Sequence, residues 1–277
     1  MLSHIEVLIQ ADPAWQEILI AELSQLGYDT FIEEENALAA YIPEPAFDPN
    51  SLSEVLQSYQ PLSDWHYSYQ AIAPQNWNAQ WEAAYQPVLI TEKCLIKSRF
   101  HQVASSYPYE ITIDPKMSFG TGHHETTSLM VENQLEIDHS GKRVIDAGCG
   151  TGVLAILAEK RGAAAVLAFD VEDWAIRNCT ENIALNGCHR IHLFQGTIRD
   201  VPEEETYDIV LANINRNVLL EEMAAYQKRL KVGGVLVISG FYEKDSELIS
   251  QEAARISLSI VNTKTKNNWQ AIVLGKH

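Results

Sequence analysis

Basic residues are scarce in this chain: 20 Lys and Arg face 37 Asp and Glu over 277 residues, a formal net charge of -17. A surface that acidic repels polyanions, so nucleic acid is disfavoured as a direct substrate and a basic protein partner is favoured. Solubility alone also accounts for acidity, so charge ranks the function classes without choosing one. No apolar run approaches the roughly 20 residues that a membrane helix needs, so no membrane partner is expected. The opening Met1-Leu-Ser-His-Ile-Glu-Val lacks the basic segment and long apolar core of a secretory signal. The four cysteines, Cys94, Cys149, Cys179 and Cys188, have neither Cys-x-x-Cys nor zinc-ligand spacing. They read as reduced thiols of a cytoplasmic protein. No Gly-x-x-x-x-Gly-Lys phosphate loop follows a strand, and no internal repeat or low-complexity stretch is visible.

At about 100–200 residues per domain, this length suggests two domains. Residues 1–73 read as a small α+β domain. A strand over His4–Gln10 precedes a helix with Trp15, Ile18, Leu19, Glu22, Leu23 and Leu26 in helical spacing, stopping at Gly27. Strands over 28–32 and 37–42, a helix over 49–57 and a strand over 65–72 complete a βαββαβ order, that of a ferredoxin-like sandwich. No cluster of catalytic residue types falls here, so the expected role is substrate recognition. Residues 74–87, bracketed by prolines, read as a linker helix with Trp77, Trp81 and Tyr85 in a packing stripe. Residues 88–277 open with short strands over 89–96 and 109–113. Strands then alternate with helices, at 143–146, 164–169, 190–194, 207–212 and 234–239, the mark of a doubly wound, Rossmann-like α/β sheet. A hairpin over 257–263 and 269–274 closes the chain.

The most informative stretch is Val144-Ile-Asp-Ala-Gly148-Cys-Gly150-Thr-Gly152. The apolar run ending in Asp146 reads as a buried strand, the glycines as a tight turn, and 153–161 as a helix. Glycine is expected there because a ligand must approach the backbone more closely than a Cβ allows. A second apolar run, 163–169, is followed by Asp170, a carboxylate placed to accept hydrogen bonds from a ribose diol. Together they describe a nucleoside cofactor across the carboxyl ends of two neighbouring parallel strands. A dinucleotide fingerprint needs glycine where this chain has Val153, so a dehydrogenase is the poorest reading. The Gly-x-Gly-x-Gly spacing instead resembles the S-adenosylmethionine loop of class I methyltransferases, whose ligand carries no phosphate. Glycines that only punctuate a strand-to-helix turn are the competing explanation, and Asp170 at the right separation weighs against it.

Two further constellations accompany the loop. In Asp114-Pro-Lys-Met-Ser-Phe-Gly120-Thr-Gly122-His-His-Glu-Thr126-Thr127, both threonines fall in the first turn of a helix, where a hydroxyl and the helix N-terminus suit a carboxylate. Threonine capping explains the same residues structurally. His123, His124 and Glu125 suggest a metal, but adjacent residues do not share a helix face and no second ligand cluster exists, so none is expected. In Tyr207-Asp-Ile-Val-Leu-Ala-Asn213, a buried strand ends at an asparagine where substrate should meet cofactor. A strand-end asparagine is elsewhere most often a turn former.

These motifs resemble the bacterial ribosomal protein L11 methyltransferases, the PrmA family, over essentially the full length. The resemblance is carried by Asp114-Pro…Phe-Gly-Thr-Gly-x-His-x-Thr-Thr127, Asp146-x-Gly-Cys-Gly-Thr-Gly152, Asp170, Ala212-Asn-Ile214 and the late Trp269. It implies N-methylation of lysine ε-amines, the N-terminal α-amine or both on L11, with S-adenosylmethionine as cofactor and the N-terminal domain docking the substrate. Carried over by position, Thr127, Gly148, Gly150 and Asp170 would contact the cofactor, and Asn213 would sit between cofactor and amine. The chain departs from the family pattern at His123, Glu125 and Asn215-Arg216-Asn217. It also has Gln195-Gly-Thr197 where adenine recognition often places an acid, so backbone contacts to adenine are expected there. A class I methyltransferase acting on RNA or a small molecule, and a non-catalytic cofactor-binding assembly factor, remain as alternatives. The first would need a basic groove or an apolar lid, and the N-terminal domain offers no basic patch.

Overall fold

A computed structural model describes residues 3–59, 66–72, 86–103, 106–114 and 122–277. The chain divides into two compact units, Met1–Ala84 and Tyr85–His277. The linker helix expected over 74–87 lies almost wholly outside the described residues, as do 115–121 of the loop before Thr126.

In the first unit, β1 (His4–Gln10), α1 (Pro13–Gln25), β2 (Thr30–Glu34), β3 (Ala37–Pro43), α2 (Pro49–Ser58) and β4 (His66–Ile72) form an antiparallel sheet in the order β2-β3-β1-β4. Alternate residues Ile5, Val7 and Ile9 of β1 join Leu38, Ala40 and Ile42 of β3 in one core with Leu19, Leu23, Leu52 and Leu56 of the helices. Asp48 starts α2 by accepting the Asn50 and Ser51 N–H groups. The strand expected from Tyr28 begins only at Thr30, because the Tyr28 N–H closes the end of α1 on the Leu23 carbonyl.

The second unit opens with β5 (Val88–Ile90), β6 (Cys94–Ser98) and β7 (Tyr109–Ile113). The single strand expected over 89–96 is a hairpin instead. Thr91 takes φ 54°, and the chain reverses before Cys94. Then follow α3 (Glu125–Glu136), β8 (Arg143–Ala147), α4 (Val153–Lys160), β9 (Ala165–Asp170), α5 (Asp173–Leu185), β10 (Ile191–Gln195), β11 (Tyr207–Asn213), α6 (Arg216–Arg229), β12 (Leu230–Tyr242), α7 (Ser246–Arg255), β13 (Leu258–Lys266) and β14 (Trp269–Lys276). The sheet order is β10-β9-β8-β11-β12-β14-β13, parallel from β10 to β12 and antiparallel at β14. The doubly wound sheet read from the sequence is thus present, and two cores lie on its faces. Val144 of β8 packs into one core and the adjacent Ile145 into the other, as period-two alternation requires. Chain order reverses between β8 and β11, which opens a crevice at their carboxyl ends. Asn267 and Asn268 (φ 48° and 65°) make the two-residue turn of the closing hairpin. No helix among the described residues is long and apolar enough to cross a membrane.

Candidate active site

Strand register brings the motif residues into one row. Asp170 pairs with Gln195, Ala147 with both Phe169 and Ala212, and Asn213 with Ser239. Gly148, one step beyond Ala147, therefore stands level with Asp170 on one side and Asn213 on the other.

The turn after β8 carries Gly148, Gly150 and Gly152 at positive φ (67°, 51° and 81°). The Gly150 N–H donates to Asp170 Oδ2 at 3.0 Å, and the Glu172 N–H to Oδ1 at 3.1 Å, which fixes that carboxylate beside the loop. A Cβ on Gly148 would stand 2.4 Å from Ile214 Cγ2. The sequence suggests ligand approach as the reason for glycine, and the neighbouring strand end is a second one.

A cleft of about 300 Å³ runs beside Gly148 and Gly150, with Asp170, Gly196, Thr197 and Asn213 in its lining. A smaller cavity shares Gly148, Gly150 and Asn213 with it and adds Thr127 and Thr151. All five residues singled out from the sequence thus line two cavities with common walls. Thr127 and Asn213 are both buried, and Thr127 Oγ1 and Asn213 Oδ1 lack a hydrogen-bond partner among the described residues. Buried polar atoms left so in native folds mark a place where a ligand or water completes the bonding. Among the described residues no three His, Cys, Asp or Glu side chains cluster as metal ligands. His124 instead caps α3, accepting the Thr126 N–H at 3.3 Å, and its ring meets Trp269 edge-on.

A model of the ribosomal protein L11 methyltransferase family, PrmA, matches residues 7–277. The chain belongs to that family. It is 43% identical over 259 residues to the L11 methyltransferase of Porphyromonas gingivalis, covering 92% of this chain and 89% of the relative. It is 37% identical over 281 residues to that of Chlorobaculum tepidum, covering 96% and 94%. The crystal structure of ribosomal protein L11 methylase from Lactobacillus delbrueckii subsp. bulgaricus is similar to it with TM-score 0.64 at 28% identity, over 70% of this chain and 99% of that one. By family, then, the chain is a methyltransferase.

Residues read from the sequence as departures from the family pattern tie elements together. Glu125 accepts the Asn267 side-chain amide at 3.0 Å, joining α3 to the closing hairpin. Asn215 caps α6 through the Val218 N–H at 3.1 Å, and Arg216 pairs with Asp245 at 2.7 Å. Two cleft residues were not singled out from the sequence. Glu222 and Tyr226 of α6 line the larger cavity, on the same stripe as buried Leu219 and Met223. An acid interrupting an apolar helical stripe was the available signal.

Asp146, behind the glycine turn, is fully buried. Its Oδ2 accepts the Ala155 N–H at 2.9 Å, while Oδ1 has no partner among the described residues. Burial pushes this carboxyl up from 3.8 to about 7; the Ala155 hydrogen bond opposes the rise and the Asp170 charge adds to it. The folded value exceeds the unfolded one, so between about pH 4 and 7 the folded chain binds the proton more tightly. That contribution is complete below about pH 4 and lost as pH rises through 7. Asp146→Asn is expected to flatten the decline, worth up to about 4 kcal/mol at about 1.4 kcal/mol per unit. Urea unfolding of both proteins across this range measures it.

Proposed function

We propose that this chain transfers methyl groups from S-adenosylmethionine to lysine ε-amines, the N-terminal α-amine or both of ribosomal protein L11. The carrying observation is the pair of buried oxygens, Thr127 Oγ1 and Asn213 Oδ1, that have no hydrogen-bond partner among the described residues and line a cavity with Gly148 and Gly150. Thr127 lies in the first turn of α3, where its hydroxyl and the positive end of the helix dipole suit an amino acid's carboxylate. Asp170 suits a ribose diol, and the glycine turn suits close approach of a ligand to backbone.

When bound, S-adenosylmethionine supplies a methyl on cationic sulfur; an amine lone pair forms the new N–C bond as the C–S pair returns to sulfur. The residues contribute position. Asn213 accepts an N–H of the incoming amine and aims its lone pair, and near-attack positioning of this kind is worth about 7–11 kcal/mol. The amine must arrive neutral. At pH 7 a lysine of pKa about 10.4 loses its proton at about 4.6 kcal/mol, an α-amine near 7.7–8.0 at about 1. A carboxylate beside the amine would raise that cost, and the described lining of the smaller cavity contains none. Water takes the proton.

Docking falls to the N-terminal unit. Residues 1–84 hold 13 Asp and Glu and no Lys or Arg, whereas 85–277 hold 24 acidic and 20 basic residues. About three-quarters of the net charge, -13 of -17, is therefore concentrated where a basic protein would be attracted. Exposed Leu8 and Ile32, on strands flanking Ala39, add apolar contact on the sheet face opposite the helices. A ribosomal substrate and four free, buried cysteines fit a cytoplasmic setting.

Methyl-labelled S-adenosylmethionine and ribosomal proteins from cells lacking this enzyme are expected to yield label on L11, abolished by Asp170→Ala. Label only on other proteins would overturn the substrate, and no label despite cofactor binding would overturn catalysis. Raising ionic strength from about 0.1 to 1 M shortens screening from about 10 to 3 Å. The KM for L11 is expected to rise, with that for the cofactor unchanged.

A further inference from the structure

The buried stripe of α6 contains a carboxylate. Glu222 is only 9% exposed, and Tyr226, fully buried one turn on, donates its hydroxyl to Glu222 Oε2. Among the described residues that is the carboxylate's one hydrogen bond, and its Oε1 remains without a donor. A carboxylate this little exposed is stabilised by each further donor that reaches it. It lines the larger cleft, so a donor from a ligand can do so.

The lining of that cleft has a specific chemistry. Val171, Trp174 and Val218 belong to it and are among the large apolar side chains left exposed, at 59%, 43% and 37%. They offer hydrophobic surface to a flat, apolar group. The neighbouring polar side chains are already engaged. Thr197 Oγ1 bonds Asp200 and the Arg199 N–H, and Asn215 Oδ1 caps α6. Asn213 Oδ1, also in the lining, is the acceptor assigned to the incoming amine, which leaves Glu222 as a side-chain acceptor for the base.

With ribose at Asp170 and the amino-acid end at Thr127, the base of the cofactor belongs against these apolar side chains. We infer that Glu222 accepts a hydrogen bond from the exocyclic amine of adenine and so selects an amino over an oxo purine, an assignment that rests on the cleft binding S-adenosylmethionine. Tyr226 is a positioning residue, holding Oε2 so that Oε1 faces the base. A purine with a carbonyl at that position would set its lone pairs against the carboxylate. The acid absent from Gln195-Gly-Thr197 is thereby supplied by a helix that follows a different strand.

Calorimetric titration tests this with S-adenosylhomocysteine, its 6-deamino purine analogue and its inosine analogue. Wild type should lose affinity about ten- to a hundredfold when the amine is removed, the range of a charge-assisted hydrogen bond. Glu222→Ala should bind S-adenosylhomocysteine more weakly by a similar factor and scarcely distinguish it from the deamino ligand. Glu222→Gln keeps the shape of the side chain and brings an N–H to the base, so its preference should move towards the inosine ligand. Equal preferences in wild type and variants would overturn the assignment while leaving the cofactor reading intact. A wild type that binds none of the three would overturn the cofactor reading itself.

Discussion

Replacing Asn213 by Ala is expected to lower kcat about a hundredfold or more, with the cofactor Kd held within about threefold. The asymmetry follows from where the residue stands. Asn213 is the last residue of β11, level with Gly148 through the pairing of Ala212 with Ala147. It borders both cavities, with Oδ1 unpartnered among the described residues. On the proposed reading, cofactor contacts are spread over Thr127, the glycine turn and Asp170, so losing one amide removes little ground-state binding. The amine has no comparable set of partners. Losing its acceptor removes orientation, which acts on the transition state and therefore on kcat. Steady-state kinetics with L11 and calorimetry with S-adenosylhomocysteine separate the two effects. Equal losses in turnover and affinity would remove the role.

The parts of this site legible in the sequence are those that announce themselves locally. Gly148, Asp170 and Asn213 each end or follow an apolar run, and a strand's last residue is readable without its neighbours. Their alignment in one row depends on interstrand register, which is long-range; the doubly wound pattern supplied it indirectly. Glu222 stayed hidden because its meaning depends on facing a cavity rather than the sheet. One reversal was equally opaque, whereas the glycine-free turns at 35–36 and at Asn267-Asn268 were read. Thr91 turns the β5–β6 hairpin at φ 54°, a conformation that threonine propensity argues against. β12 runs over Leu230–Tyr242 where 234–239 was expected, crossing Gly233-Gly234 and Gly240. The glycines fall where the pairing slips, Gly233-Gly234 between Leu230 and Val235 against β11 and Gly240 between Ser239 and Phe241 against β14, so the strand runs on through irregularities that its flanking pairs bracket.

One of those glycines carries the largest structural effect. Gly240 takes φ 98° inside β12, where the register to β14 slips between Ser239 and Phe241. A Cβ placed there would meet Ile214 O at 2.0 Å, its carbonyl carbon at 2.7 Å and its N at 3.1 Å. Those are backbone atoms of the residue after Asn213, so no side-chain rotation relieves the overlap. Ile214 has little room to yield, since its Cγ2 already occupies the space of the missing Gly148 Cβ. Gly240→Ala is therefore expected to destabilise the chain by about 3 kcal/mol or more, combining overpacking with left-handed strain. Whatever folds should turn over slowly, because a displacement of about 1 Å at Asn213 costs on the order of a hundredfold. Gly141 provides the control. It has φ 68° but open space around its absent Cβ, so Gly141→Ala carries the conformational cost without the collision. Urea unfolding and kcat of the two variants decide the matter. Equal midpoints and equal turnover would mean that the contact between Gly240 and Ile214 does not hold Asn213 in place.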